Sequence, residues 1–575
     1  MLTLGINAAF HDSSAALLRN GVLIAAAEEE RFTRIKHAKR PVPFSAYELP
    51  FHAIDYCLKV AGASITDIDN FAYSYDPSIQ AKTHHRHDSA TRPTDLDHLH
   101  PDGDLETPWT PLFLNYISNA PRHLAVGYPH HLQSRLKGLP PEGPSHFHFV
   151  EHHISHAASA FLCSPFDESA VMVLDGRGEV ATTSYYLGLN NHLRRLGEVH
   201  LPHSLGLLYE EVTTHLGFLH SSDEYKVMAL AALGQPTFVD FFHEIIHLHG
   251  QGSYTIKRHD LSEALGQARI RGTEITQRHF DIAHSLQRVL EERVLQLSNW
   301  LHKASGSHKL CMAGGVALNC LMNSRIRDDG PFDEVWIQPA AGDAGTALGA
   351  ALWIDSHIME SHQRPCKMEH AYWGPGFSDQ EIEAFLIWSK QPYTTLTNPA
   401  VEVATLLEQD KIIGWMQGRM EFGPRALGAR SILASPLHAS MQNRLNNLKE
   451  REDFRPVAPV VLEDKVSEWF STKSPSPFML FINDVLPDKR HLVPAICHAD
   501  STARIQTIRR ELNPAYYDLI AAFGQATGVP ILVNTSFNSR GMPVVCTPQD
   551  AVECFWSSPL DALVMGRFLI QKNGI

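Results

Sequence analysis

His152 and His156 stand four residues apart in His-His-Ile-Ser-His (152–156), so on a helix their imidazoles project toward one point. Two imidazoles joined by carboxylates suit a borderline divalent metal with open positions. Asp175 is the first candidate carboxylate. It ends the apolar run Ala170–Leu174 just before Gly176-Arg177-Gly178, a place where ligands often sit. Asp343 is the second, at an expected helix start within Ala340-Ala341-Gly342-Asp343-Ala344-Gly345, where a plain helix cap is the competing role. The chain holds 35 histidines among 575 residues, so roughly two i,i+4 pairs are expected by chance and the spacing alone decides little.

Three other constellations could carry chemistry. His11-Asp12 lies in a polar loop after the first apolar segment, where a histidine near neutrality could act as general base on a hydroxyl; a turn residue is the alternative. A series of cations occupies turn-like settings in the last third: Arg425 in Gly-Pro-Arg-Ala-Leu-Gly, Lys449 and Arg455 in Lys-Glu-Arg-Glu-Asp-Phe-Arg-Pro, Arg504 in Thr-Ala-Arg-Ile-Gln, and Arg540 just after Asn534-Thr535-Ser536. In an acidic chain this suggests a pocket for phosphate or carboxylate, with surface ion pairing as the alternative. His243-Glu244-Ile245-Ile246-His247 fits the zinc-peptidase pattern H-E-x-x-H, with Gly250 where the extended form wants glycine but Ser253 where it wants a third histidine. Glu263 or Glu274 could replace that ligand. The chain has no G-x-x-x-x-G-K-[ST] loop, so any use of ATP needs another scaffold.

The elements that must position these residues read as α/β. Leu2–Ile6 is an apolar strand, and Ala15–Leu18 and Val22–Ala27 flank the hairpin signal Asn20-Gly21. The same unit recurs as Ala170–Leu174, then Thr182–Leu189 turning at Asn190-Asn191, which suggests an internal duplication. Apolar residues at Ile282, Leu286, Val289, Leu290, Val294, Leu297 and Leu301 predict a helix over 280–301. Lys309–Ala313 and Glu334–Gln338 read as strands, and Gly342–Ile354 as a helix with a glycine-bearing start. Beyond a Pro/Gly-bearing stretch near Ser361–Gly376 the α/β pattern restarts, giving domains at 1–360 and 361–575, with a His- and Pro-rich insertion from Thr83 to Pro144.

A net charge of -14 argues against a general nucleic-acid or anionic-membrane surface. No apolar run reaches the roughly 18 residues of a membrane span, and the start of the chain lacks a signal-peptide pattern, so a cytoplasmic protein is expected. The eight cysteines include no C-x-x-C pair and read as free, buried thiols.

Ten runs, in order, resemble the O-carbamoyltransferases of the nodulation-factor and antibiotic, nebramycin-synthase type. They are FHDSSAALL (10–18), AEEERFTR (27–34), HHISHAASA (152–160), VLDGRGE (173–179), GGVALNC (314–320), AAGDAGTALGAAL (340–352), GPRALGARSIL (423–433), DFRPVAPVV (453–461), TARIQT (502–507) and VNTSFN (533–538). The resemblance implies a duplicated actin-like, sugar-kinase-type (ASKHA) first domain like that of tRNA threonylcarbamoyltransferases, and a YrdC-like second domain. It implies ATP and carbamoyl phosphate as co-substrates, carbamoyl-AMP as intermediate and a hydroxyl on a small natural-product molecule as acceptor. By position His152, His156, Asp175 and Asp343 would hold Fe(II), with Mn or Zn as alternatives. His11 would be the base and Asp12 would lie on the acceptor. Lys449, Arg455, Arg504 and Ser536 would bind carbamoyl phosphate and nucleotide, and Asn534, Arg425 and Arg540 join them by motif. A tRNA-modifying threonylcarbamoyl enzyme and the zinc peptidase are the competing readings. The acceptor's identity and the oligomeric state, a homodimer among the options, stay open.

Overall fold

Asn20 and Gly21 take φ values of 50° and 78°, the left-handed pair that a tight type I′ hairpin requires. They join β2 (Ser14–Arg19) to β3 (Val22–Glu28), and β2 pairs antiparallel with β1 (Leu2–Asn7). β4 (Asn70–Tyr73) then lies parallel to β1, and β5 (Phe147–Phe149) parallel to β4. The sheet order is β3-β2-β1-β4-β5. These coordinates come from a computed structural model, which describes residues 1–38, 49–84, 110–126, 138–358, 366–472 and 474–572.

The second repeat copies the first. β6 (Glu168–Leu174), β7 (Ala181–Leu189) and β8 (His192–His200) form an antiparallel meander, with Asn190 at φ 55° in its hairpin turn. A separate two-stranded hairpin, β9 (Ile246–Gly250) and β10 (Ser253–Ile256), follows. β11 (Lys309–Ala313) is parallel to β6, and β12 (Glu334–Ile337) is parallel to β11. The order β8-β7-β6-β11-β12 repeats that of the first sheet, strand for strand and direction for direction. The duplication expected from the repeated hairpin signals is therefore written in the backbone.

Three helices matter most for the site. α1 (His152–Phe161) follows β5, and α3 (Ala344–Ile358) follows β12, so they hold equivalent places in the two repeats. Between them in sequence, α2 (Gln277–Ser305) buries the whole stripe expected of it, from Ile282 to Leu301. α1 and α3 pack backbone to backbone, because a methyl group on Gly349 would run into the Ser155 carbonyl. On the other side of α3, Gly5 of β1 meets the Ala347 carbonyl in the same way.

Residues 1–33 and 37–368 form one compact unit, and residues 34–36 and 369–575 form another. The expected boundary at 360/361 falls on residues outside those described. The second unit is built on a mixed eight-stranded sheet. Its strands are β13 (Thr394–Thr395), β14 (Ile413–Met416), β15 (Arg430–Ala434), β16 (Ala458–Leu462), β19 (Gln506–Ile508), β20 (Ile531–Ser536), β21 (Ala562–Met565) and β22 (Phe568–Gln571), and β17 (Asn483–Asp484) pairs apart from them with β18 (Thr502–Ala503). The order is β13-β22-β21-β14-β15-β20-β16-β19. Both faces are covered: Ile432 and Ala434 point into one core and Leu433 into the other.

Two expectations need revision. The H-E-x-x-H run is not on one helix: Val239–Ile245 is helical and carries His243, while His247 belongs to β9. His243 pairs with Glu292 at 2.9 Å, and His247 Nε2 donates to the Glu244 carbonyl at 2.7 Å. The two rings do not share a face, which removes the zinc-peptidase reading. The Thr83–Pro144 insertion is not wholly irregular, since it contains the helices Thr110–Ser118 and Ala120–Val126; its residues 85–109 and 127–137 lie outside those described.

Gly349→Ala should lower stability by about 1–3 kcal/mol, the usual range for forcing extra volume into a packed contact. Gly528→Asn, at an open left-handed helix cap, should be near neutral. Urea denaturation midpoints compare the two.

Candidate functional site

α1 starts at His152, and its pitch brings the rings of His152 and His156 to 4.7 Å between centroids. His153 points away, its Nδ1 2.8 Å from Ser184 Oγ. Asp175 lies one residue beyond β6 and Asp343 one residue before α3. His152 Nε2 is 3.7 Å from Asp175 Oδ2 and 3.6 Å from Asp343 Oδ1; for His156 Nε2 these distances are 3.9 and 3.6 Å. They exceed ordinary hydrogen-bond lengths. Four donors that surround a point without touching one another are what a bound cation requires.

The residues fit a divalent metal on three further observations. His152 Nε2 and both ring nitrogens of His156 are buried with no hydrogen-bond partner, a costly state unless a ligand takes them up. His152 Nδ1–H donates to the Ser74 carbonyl at 3.0 Å, which leaves the Nε2 lone pair facing the centre. The Gly315 N–H donates to Asp175 Oδ1 at 2.8 Å and leaves Oδ2 facing inward. Burial alone would raise the Asp175 pKa, but the surrounding imidazoles of His152, His156 and His153 hold it well below the usual carboxylate range. Glu179 braces the start of α1 by accepting from the backbone N–H groups of His152 (3.0 and 3.2 Å) and Asp76 (2.7 Å). Its burial pushes its pKa up to about 7.

The loop leaving β1 builds a second group. Asn7 Nδ2 donates to the carbonyls of His11 (2.8 Å) and Asp12 (3.2 Å). Asp12, at φ 48°, sets its carboxylate between two imidazoles: Oδ2 is 2.9 Å from His11 Nδ1, and Oδ1 is 2.9 Å from His37 Nδ1. His11 Nε2 lies 2.7 Å from the Ser221 carbonyl, and His37 Nε2 lies 3.2 Å from Ser222 Oγ. Phe10 packs edge-on against His152 at 5.3 Å, so this loop touches one of the four gathered donors. Asp12, expected on the acceptor, spends both carboxylate oxygens on imidazoles.

In the second unit the expected anion-binding residues gather at one end of the sheet. β15 and β16 both run antiparallel to β20, and β19 runs parallel to β16. The exit of β20 carries Asn534 and Ser536, and it lies beside the entries of β15, β16 and β19, which follow Arg425, Arg455 and Arg504 in the chain. Lys449 Nζ donates to the carbonyls of Ser536 (2.6 Å) and Asn538 (2.8 Å) and reaches Ser536 Oγ at 3.3 Å. Burial, with Arg451 and Arg455 adding, lowers its pKa well below the usual lysine value. Asn534 Nδ2 donates to the Ala426 carbonyl (3.1 Å) and to Gln506 Oε1 (2.8 Å), tying the Arg425 loop to β19. Arg430 is fully buried and donates to the carbonyls of Pro375, Gln417, Gly418, Ala429 and Cys546, which fixes the same loop. Arg540 is exposed in the turn after β20.

Sequence reading passed over four residues of these sites. Ser74 and Glu179 act through backbone groups and leave no pattern in the sequence. His37 falls three residues past the run that ends at Arg34. His498 is driven down to about 4, chiefly by burial, against Asp500 and with Arg504 adding; among so many histidines it had nothing to mark it.

The Carbamoyltransferase N-terminus family model matches residues 2–352, and the Carbamoyltransferase C-terminus model matches residues 404–572. The chain belongs to the carbamoyltransferase family. It is 38% identical to nodulation protein NolNO of Sinorhizobium fredii, over 99% of this chain and 80% of the relative. It is 40% identical to an uncharacterised protein of Synechocystis sp., over 99% of this chain and 96% of the relative. Nodulation protein NolO of Bradyrhizobium diazoefficiens is 40% identical over 74% of this chain and 79% of its own length. The protein is thus a transferase of carbamoyl groups. No helix among the described residues of this carbamoyltransferase is long and apolar enough to cross a membrane.

If the four buried donors form one site, His156→Ala should weaken Mn(II) or Fe(II) binding by more than the about 10–100-fold typical of losing a merely supporting residue. His153→Gln, whose ring faces Ser184, should bind nearly as the parent does. Chelator competition followed by metal analysis measures both.

Proposed function

We propose that this carbamoyltransferase makes carbamoyl-AMP from ATP and carbamoyl phosphate in its second unit, then transfers the carbamoyl group to a hydroxyl of a small molecule in its first. The observation that carries the reading is the pairing of two sites in one chain: a buried set of two histidines and two aspartates, and a gathering of cations where three strand entries meet one strand exit.

The second unit, which the resemblance likens to YrdC, begins the sequence. Arg455, Arg504 and Arg425 orient carbamoyl phosphate and the ATP phosphates, since guanidinium forks match phosphate oxygens in pairs. Lys449 holds the Ser536–Asn538 turn that closes the pocket. Carbamoyl phosphate loses phosphate to water and leaves carbamate. A carbamate oxygen attacks the α-phosphorus of ATP, which gives carbamoyl-AMP and releases pyrophosphate.

Transfer follows in the first unit. His152, His156, Asp175 and Asp343 would hold the divalent cation, for which Fe(II) is the leading candidate and Mn(II) or Zn(II) the alternatives. A cation there supplies neutralisation of negative charge on the departing phosphate. An imidazole of the His11–Asp12–His37 group removes the acceptor's hydroxyl proton, and that oxygen attacks the carbamoyl carbon. The relatives named as nodulation proteins and the negative net charge favour a small-molecule acceptor over a nucleic acid.

Pyrophosphate release from ATP by the pure enzyme without acceptor should depend on carbamoyl phosphate. Arg455→Ala should abolish it, and the exposed Arg510→Ala should not. His156→Ala should leave it intact. Release that ignores carbamoyl phosphate, or that survives in Arg455→Ala, would sink the adenylation scheme.

A further inference from the structure

Carbamoyl phosphate differs from acetyl phosphate, an acyl phosphate of almost the same shape, in carrying an amine where the other carries a methyl group. Arginines that grip the phosphate cannot tell the two apart, because a guanidinium only donates. Selecting the carbamoyl compound takes a hydrogen-bond acceptor for the amine. A carboxylate would accept, but it would also repel the phosphate. A neutral imidazole with its lone pair fixed in place has the right chemistry.

We propose that His498 is the specificity-determining residue of the second unit, and that its Nε2 accepts an N–H of the carbamoyl group; this rests on the adenylation reading proposed above.

His498 opens a turn that ends two residues before Arg504. Its N–H donates to the Thr502 carbonyl at 2.9 Å, and the Ser501 N–H donates to the His498 carbonyl at 2.9 Å, with Ser501 at φ 68°. The turn sets the Thr502 hydroxyl between the ring and Asp500: Oγ1 lies 2.7 Å from Asp500 Oδ1 and 3.2 Å from His498 Nδ1. A hydroxyl has one hydrogen, and a carboxylate has none to give. Thr502 therefore donates to Asp500 and keeps only lone pairs for the imidazole. His498 Nδ1 brings the hydrogen to that contact.

The state of the other nitrogen follows. Burial holds the His498 pKa down to about 4 against the pull of Asp500, and the charge of Arg504 adds to the lowering, so the ring is neutral at pH 7. A neutral ring with its hydrogen on Nδ1 keeps its lone pair on Nε2. Among the described residues Nε2 makes no hydrogen bond, and it is not sealed off from solvent. The ring also lies within the field of Arg504, one of the cations expected on the phosphate. A lone pair of fixed direction thus stands near groups that can only donate, which is the arrangement that reads an amine attached to a phosphate.

Ring-nitrogen spectra of the full chain labelled with ¹⁵N-histidine, at pH 7, test the acceptor itself. Assigned by difference from His498→Gln, they should show hydrogen on Nδ1 of His498 and a bare Nε2; an imidazolium or the opposite tautomer overturns the proposal. Calorimetric titration then compares carbamoyl phosphate with acetyl phosphate. The unaltered chain should prefer carbamoyl phosphate about tenfold, the order of one hydrogen bond. His498→Ala should remove the preference by weakening carbamoyl phosphate alone, and His498→Gln, whose Oε1 can still accept, should keep most of it. Equal binding of the two ligands by the unaltered chain, a preference that survives in His498→Ala, or an equal loss for both ligands overturns the proposal. If His498→Ala does not fold, the tautomer and the preference of the unaltered chain still decide. None of these readouts uses ATP, so failure here is distinct from failure of the adenylation scheme, which pyrophosphate release reports.

Discussion

Two carboxylates and two imidazoles are shut away from water in the first unit, and two buried negative charges side by side are stable only if something positive lies between them. Most of what surrounds the centre follows from that. Ser74 fixes the tautomer of His152, Gly315 turns one oxygen of Asp175 inward, and Glu179 fastens the turn of α1 that carries His152. The glycine contacts on both sides of α3 set how closely Asp343 approaches the histidines, since α3 rests on α1 through Gly349 and on β1 through Gly5. The absence of a side chain at Gly349, beside the turn of α1 between the two histidines, thus bears on the spacing of the donors.

The quartet was legible because its logic is local. A spacing of four on a helix, a carboxylate at a strand exit and another at a helix start are each visible within a few residues, and the repeated hairpin signals revealed the duplication. The cation series was legible only as a list. What brings its members to one end of the sheet is the order of β15, β20, β16 and β19, a long-range fact that no single segment carries. His37 was missed for the same reason: its partners are Asp12 and Ser222, 25 and 185 residues away. The H-E-x-x-H run shows the converse error. Its local pattern is helical, but β9 closes on β10 through Gly250, Gln251 and Gly252, all at positive φ, and that pairing overrides the helix after Ile245.

Lys449 also changes meaning once its contacts are known. An ammonium that already donates to two carbonyls is better suited to shaping the turn after β20 than to gripping a phosphate.

The turn leaving the first strand of each repeat bears titratable side chains, but not the same ones. After β1 it carries His11 and Asp12; after β6 it carries Asp175. A symmetric dimer of a single repeat would have had to present one turn twice, because symmetry makes both copies identical. Joining the copies in one chain lifts that restriction. Each turn could then diverge by ordinary point substitution, one toward a histidine–carboxylate pair and one toward a lone buried carboxylate, while the sheets beneath them kept their common design.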